Sequence, residues 1–570
     1  YQNLFDEKFK TLAPLATDNL MLRLPFVLNE DFSLSDFRQL RSYLSQFNQY
    51  KFYFLGIDVL RFYLSLETLN YILWLSPLLA LVFCLVLYLY FRHWVPVFYS
   101  LITLAFSMLA TLGLSIFLYG GFSPFVSIGI LFVFVIGTSD LIHVFSHQAF
   151  AEPYDESSVS GIFKEKLRVC FLTTLTTVMA FSSFIFSDMN VLKMLGVSCF
   201  VGLIVCFLFT FYVLPHLMVK LHSSAPFPRW STHLFQFKFG KFQKYFKFIL
   251  MFLSVSLMFV FSGYFKFDFQ QSPKKIFDLE HEYTQGINLY HQHFSPEVRS
   301  SILYRQGTDK SGLVQYLLAD QRVTKVLDQD DVFFQLTQNA TAEDRLKMKS
   351  ALVGFQHPFH KLYQSENYQR MMFFTNANDL EIVLNDLDAY LQRNKLDHFI
   401  HIQSFEKLRN QFFKMLGHSL FASLLWTFVL IFLTIQITYK NIKISLIAIF
   451  VNVIPCILAL IFAKWMGFEF NMNIVISISL LLGLGVDDTI HYLELFCRNN
   501  HSSVHALKAI QMTSYVLILL FLMLSMSNVI IFQDISLVLS FGLIWALLYD
   551  CFLLPLLLER FVTPSLKVHN

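Results

Sequence analysis

The chain has 570 residues, 55% hydrophobic and 15% charged, with a mean hydropathy of +0.53. Apolar stretches of about 20 residues recur along it, enough to cross a bilayer as helices, which excludes a soluble globular protein and predicts a polytopic α-helical membrane protein. The net charge of +3 is close to neutral and calls for no nucleic-acid partner.

The predicted elements run as follows. Residues 1–70 read as part of an outer domain, with strands over Asn19–Leu28 and Lys51–Gly56 and a helix over Ser35–Phe47. A five-helix block over 71–219 has spans near Tyr71–Phe91, Val95–Tyr119, Phe122–Ser146, Leu167–Phe186 and Val191–Val219. A basic and aromatic linker, 220–247, leads to a span at Phe248–Tyr264 in segment 248–265. Its stretch Phe235–Phe248 alternates Phe with Lys, the pattern of an interfacial segment with snorkelling ammonium groups; lipid recognition is the alternative.

A second outer α+β domain occupies 266–413, with strands at Ser300–Gln306, Tyr368–Thr375 and His398–Ser404 and helices at Leu313–Leu327 and Asp379–Gln392. A second five-helix block, 414–560, has spans near Leu416–Ile437, Ile442–Met466, Met472–Phe496, Ala509–Ile531 and Ile535–Leu558, and 561–570 forms a tail. Eleven spans are thus predicted.

The two blocks are copies. At an offset of 348, Arg92 pairs with Lys440, Gly137 with Gly485, Asp140 with Asp488 and His143 with His491. Later the offset is 340, pairing Thr173 with Thr513, Gly202 with Gly542 and Leu214-Pro215 with Leu554-Pro555. Five helices plus one separate the copies, so both keep the same orientation, a parallel repeat about an axis along the membrane normal. By the same register, the counterpart of the Phe248 span falls before Tyr1, which predicts a twelve-helix protein of which one helix and part of an outer domain are not in this sequence. Lys and Arg cluster in the loops holding Arg92, Lys164–Arg168, Lys220–Lys247, Lys440, Arg498 and Arg560. Those loops are predicted to be cytoplasmic, with 1–70 and 266–413 outside.

The third span of each block carries a polar insertion: Gly137-Thr138-Ser139-Asp140-Leu141-Ile142-His143 and Gly485-Val486-Asp487-Asp488-Thr489-Ile490-His491. An ionised carboxylate at a helix centre costs about 2.5–3.5 kcal/mol on the lenient insertion scale. Asp and His three residues apart share a face. Gly137, Gly483 and Gly485 are small enough to let helices approach, so the two insertions are predicted to meet at the pseudo-twofold axis. Asp140, Asp487 and Asp488 would then share one poorly solvated region, where they cannot all be ionised. Such a cluster can bind and release a proton as helices shift. His143 and His491 read equally as proton carriers or as structural residues. Ser139, Thr173, Thr174, Thr513 and Ser514 could extend a relay or bond their own helix backbones. A metal site from two His and three Asp is disfavoured by the lipid-buried location, and no cofactor is called for.

Absences narrow the field. No phosphate-binding G-x-x-x-x-G-K-[ST] loop, H-E-x-x-H or G-x-S-x-G motif occurs, so no enzymatic activity is expected. The seven Cys lie in or beside apolar segments and imply no disulfide framework. Asn339-Ala340-Thr341 is a lone glycosylation sequon.

Duplicated helix blocks, large outer stretches and Gly483-Leu484-Gly485-Val486-Asp487-Asp488-Thr489-Ile490-His491 resemble the resistance–nodulation–division (RND) superfamily, in particular its MMPL-type predicted exporters and sterol-sensing-domain-like proteins. The resemblance implies ferredoxin-like outer domains and proton-driven export of hydrophobic or lipid-like substrates across a bacterial inner membrane. Asp487 matches the first acid of the family motif and Asp488 the position after it. Their first-half counterparts are Ser139 and Asp140, a departure that moves the expected proton site toward the second half. A non-transporting lipid sensor and an auxiliary subunit for protein export are the alternatives. Oligomeric state stays open, a homo-oligomer included.

Overall fold

A computed structural model describes residues 9–11, 15–17, 21–23, 26–28, 32–47, 50–119, 124–146, 156–185, 190–221, 276–293, 297–305, 307–327, 368–376, 379–396, 399–468, 471–497 and 503–562. The Phe248–Tyr264 span, the Phe235–Phe248 linker and the Asn339 sequon lie outside the described residues. The chain divides into two compact units, 1–36 with 286–415, and 37–285 with 416–570.

In chain order the helices are α1 (Leu34–Leu44), α2 (Ile57–Phe91), α3 (Trp94–Tyr119), α4 (Pro124–Phe145), α5 (Glu156–Ile185), α6 (Asn190–Leu208), α7 (Leu214–Leu221), α8 (Glu282–His293), α9 (Ser311–Ala319), α10 (Leu380–Arg393), α11 (Phe405–Tyr439), α12 (Ile442–Trp465), α13 (Met472–Cys497), α14 (Ser503–Leu524), α15 (Ile530–Leu548) and α16 (Leu554–Phe561). Eight helices among the described residues are long and apolar enough to cross a membrane, and two shorter apolar stretches, Leu424–Tyr439 and Lys508–Leu524, accompany them.

The first span begins earlier than predicted. Gly56 adopts φ 138°, open to glycine alone, and α2 then runs unbroken from Ile57. One stripe of it is buried, Tyr71, Leu75, Leu79, Phe83 and Leu87, at strict fourth-residue spacing. That spacing packs one face of a helix while Leu73, Leu81 and Leu85 stay exposed, as suits lipid contact. The predicted strand Lys51–Gly56 does not form; Phe54 instead packs edge-on against Phe37 of α1, centroids 5.5 Å apart.

The repeat reaches the backbone. Arg92 and Lys440, the residues after α2 and α11, both adopt the left-handed conformation, φ 53° and 49°. The last span of each block contains a π-helical segment at the same repeat position, Phe209–Val213 and Tyr549–Leu553, between α6 and α7 and between α15 and α16. Pro215 and Pro555 explain both: proline has no N–H to give the preceding turn and its ring crowds that turn's carbonyl, so the helix widens.

In the other unit, β5 (Glu297–Arg305), β6 (Val323–Leu327), β7 (Tyr368–Asn376) and β8 (Ile400–Gln403) form an antiparallel sheet in the order β6-β7-β5-β8. Two strand–helix–strand passes, β5-α9-β6 and β7-α10-β8, give the ferredoxin-like arrangement. Ile302, Tyr304, Met371 and Phe373 pack under Leu313, Leu317, Val383, Leu384 and Leu387. Each such buried side chain stabilises by about 1.5–3 kcal/mol. The predicted helix Leu313–Leu327 is two elements. Asp320 turns extended (ψ 114°), its carboxylate accepts from the Arg322 backbone and guanidinium, and the β-branched run from Val323 pairs with β7. Asn19–Leu28 likewise resolves into two short strands, β3 (Met21–Arg23) and β4 (Phe26–Leu28), which pair antiparallel with β2 (Leu15–Thr17) and β1 (Phe9–Thr11) respectively.

Candidate functional site

Helices α4 and α13 carry the two insertions. Residues 472–491 of α13 are buried without interruption, which matches its apolar character on every side. Each motif helix packs closely on the helix that follows the motif in the other copy, α13 on α5 and α4 on α14.

At the centre, matched positions touch. Ser139 Oγ donates to Asp487 Oδ2 at 2.7 Å. The His143 and His491 rings stack at 3.5 Å between centroids, tilted by 11°. Both are pairs at the 348 offset. In a twofold arrangement a residue meets its own counterpart only on the axis, so the pseudo-axis passes through this site.

The flanking acids repeat the same design off the axis. Thr174 Oγ1 donates to Asp140 Oδ2 at 2.9 Å. Thr513 Oγ1 donates to Asp488 Oδ1 at 3.0 Å, and Ser514 Oγ donates to Asp488 Oδ2. Asp488 is buried and Asp140 is partly exposed. The Thr173 hydroxyl lies against both Asp140 and Asp487 and bonds the Cys170 carbonyl at 3.1 Å. A hydroxyl has one proton to give, so Thr173 serves one of these acceptors at a time.

The centre is under-satisfied. Asp487 Oδ1, His143 Nε2 and His491 Nε2 are buried with no hydrogen-bond partner among the described residues. His491 Nε2 stands 3.6 Å from Asp487 Oδ1, just beyond a direct hydrogen bond. No Lys or Arg is among the buried described residues; Lys166 of α5, partly exposed, reaches both imidazoles electrostatically. Two unit charges 4 Å apart repel by about 4 kcal/mol at an effective dielectric of 20, so the stacked rings hold at most one charge. The site can therefore take up and pass on a proton without breaking a salt bridge.

The glycines act differently from expectation. A Cβ on Gly483 would meet Ala180 Cβ at 2.9 Å, so Gly483 sets the approach of α13 to α5 across the repeats. Gly137 and Gly485 instead face their own copies: a Cβ there would meet Cys206 Sγ at 2.8 Å and Asn452 Oδ1 at 2.7 Å. They do not bring α4 and α13 together.

Residues 72–238 match the model of the MMPL family. No curated protein sequence matches the chain. Among solved structures, it is similar to SecDF, a translocon-associated membrane protein from Thermus thermophilus, at 11% identity and TM-score 0.57, covering 87% of this chain and 63% of that one. SecDF in its super-membrane-facing form gives TM-score 0.51 at 11% identity, covering 88% and 63%. The hedgehog release protein Disp from the water bear Hypsibius dujardini gives 0.57 at 12% identity, covering 87% and 71%. The chain shares the fold of SecDF and Disp, and its residues 72–238 match the MMPL family model. It spans less than two thirds of the SecDF chain.

Within this fold the sequence leaves a group on the other side of α13 unmarked. Asn452 Nδ2 donates to Thr489 Oγ1 at 2.8 Å, and Thr489 Oγ1 donates to Asp550 Oδ1 at 2.6 Å. Nearer the start of α13, Asn473 Nδ2 donates to Asp534 Oδ2 at 3.2 Å. The signal was a lone acid inside an apolar run; a search for matches between copies passes over residues that one copy lacks.

Proposed function

We propose that this protein is an RND-type secondary transporter of a bacterial inner membrane, coupling proton movement to the export of a hydrophobic or lipid-like molecule. The observation that carries the reading is the contact of matched positions on the axis, Ser139 with Asp487 and His143 with His491, around polar atoms left without partners. Asp487 is the proton-carrying acid. Ser139 holds it, Thr173 lies beside it, and His143 and His491 receive or return the proton. Asp140 and Asp488 are held by Thr174, Thr513 and Ser514 beside it.

Protonating Asp487 reverses its role toward Ser139 from pure acceptor to potential donor. That bond joins the two repeats, so its exchange biases their relative packing, the kind of two-arrangement element that alternating access needs. The membrane potential alone supplies about 2.3 kcal/mol per charge per 100 mV. The ferredoxin-like unit would lie on the outer side, by the distribution of Lys and Arg, and would handle substrate. A second reading, an auxiliary subunit that assists protein export, draws on the likeness to translocon-associated SecDF.

The test is proton flux in proteoliposomes under an imposed pH gradient, for wild type, Asp487→Asn and Asp488→Asn, with and without a lipid extract. Export coupling predicts flux that the extract stimulates and Asp487→Asn removes. Flux lost in Asp487→Asn yet indifferent to lipid favours the auxiliary reading. Folded wild type without flux, but still binding lipid, favours a lipid sensor.

A further inference from the structure

The copies share a backbone but not a chemistry on the outer flank of the motif helix. In the second repeat Asn452 of α12, Thr489 of α13 and Asp550 of the π-helical segment form a buried chain, 3%, 0% and 2% exposed. Their counterparts in the first repeat are Leu104, Leu141 and Thr210. Among the described residues, Thr210 bonds only the Cys206 carbonyl one turn earlier, at 2.8 Å. Yet Phe209–Val213 is π-helical just as Tyr549–Leu553 is. The fold therefore builds this corner without the three polar groups, and Pro215 and Pro555 account for the widened turns. A structural need does not explain the acid.

Asp550 is half-satisfied. Oδ1 accepts from Thr489, but Oδ2 is buried with no partner among the described residues. No buried Lys or Arg among them offsets a charge there. The titratable groups that face it are Asp487 and Asp488 of α13 and its neighbour Cys551, while α12 presents only the uncharged Asn452 and α14 reaches Cys551 through Gln511 at 3.9 Å. Each of those groups is neutral or acidic. A buried carboxylate so placed is far less costly with a proton on the free oxygen than without one.

We propose that Asp550, with Thr489 and Asn452, is a second proton-binding site, private to the second repeat and set on the face of α13 opposite the axis. The proton binds Oδ2, Thr489 fixes Oδ1, and Asn452 fixes the Thr489 hydroxyl so that its hydrogen points to Asp550. Thr489 lies two residues from Asp487, about 200° around the helix, so α13 carries an acid on one face and binds an acid of the last span with the other. Its use in coupling rests on the transport reading; proton binding itself does not.

The test is pH-titrated infrared difference spectroscopy of the whole chain in lipid nanodiscs, reading the C=O stretch of neutral carboxylic acids. Wild type is expected to show a neutral-acid band that Asp550→Asn removes and Asp487→Asn retains. Thr489→Val is expected to shift the frequency of that band, since Oδ1 loses its donor. Neutral-acid bands unchanged in folded Asp550→Asn would overturn the proposal. Should that variant not fold, bands unmoved in Thr489→Val would overturn it. A band assigned to Asp550 in a protein without proton flux would leave the proposal standing and remove the transport reading.

Discussion

The two motif helices occupy equivalent places and do unequal work. In α4 the axis position is Ser139, and the counterparts of Thr489 and Asn452 are Leu141 and Leu104. In α13 the same positions are Asp487 and Thr489, the latter bonded to Asn452 and Asp550. Among the acids only Asp140 and Asp488 are matched, each held by hydroxyl donors of the following helix. Duplication supplied the packing, and one copy kept most of the ionisable chemistry. A pseudo-twofold scaffold thus need not mean two equivalent proton sites.

The flanking acids are the strongest place to strain that comparison. Thr513→Val with Ser514→Ala strips Asp488 of both its described donors in a buried setting. Each buried group left unsatisfied costs about 1–3 kcal/mol. Thermal unfolding in detergent is expected to drop clearly for this double variant. Thr174→Val, beside the partly exposed Asp140, is expected to lower it less, because one donor is lost instead of two and the carboxylate is less fully buried. Equal losses would mean the two copies are more alike than their burial indicates.

The glycines give a smaller contrast. Gly483→Ala presses a methyl against Ala180 Cβ, which moves only with its backbone, and overpacking of that kind costs about 1–3 kcal/mol. Gly137→Ala meets the Cys206 thiol and a Leu104 methyl, side-chain ends that can turn away. The expected order in unfolding temperature is therefore wild type, then Gly137→Ala, then Gly483→Ala. The reverse order would place the tighter contact within a repeat rather than between them.

The smallest effect lies in the ferredoxin-like unit. Arg322, bonded to Asp320, holds that carboxyl below its ordinary range. The stabilisation is complete above the ordinary carboxylate pKa and is lost as pH falls through the lower folded value. Arg322→Ala is expected to remove that stabilisation and flatten its pH dependence, read as hydrogen exchange of β6 amides that is already faster near neutral pH and gains less on mild acidification. No such change is expected in α13.

Much of this was legible in the sequence. The offset pairs located the repeat, the motif helices and the residues that meet on the axis, because a parallel repeat constrains which positions can coincide. The strands over 300–306 and 368–375 followed from short runs of apolar and aromatic residues set between polar stretches. Three features were not legible. Residues 313–327 keep an apolar rhythm through Asp320, and only the turn that Asp320 makes with Arg322 separates helix from strand. The π-helical turns follow from proline chemistry but leave no periodic signal. Asp550 went unread because its counterpart is Thr210, and its value depends on Thr489 and Asn452, far from it in sequence.

The most direct test of the axis site is a reciprocal exchange measured as proton flux in proteoliposomes: Asp487→Ser alone, then together with Ser139→Asp. Because these two side chains touch across the axis, the account predicts that Asp487→Ser abolishes flux and that adding Ser139→Asp returns part of it. Flux at the wild-type level in Asp487→Ser alone would contradict the claim that the proton is carried there.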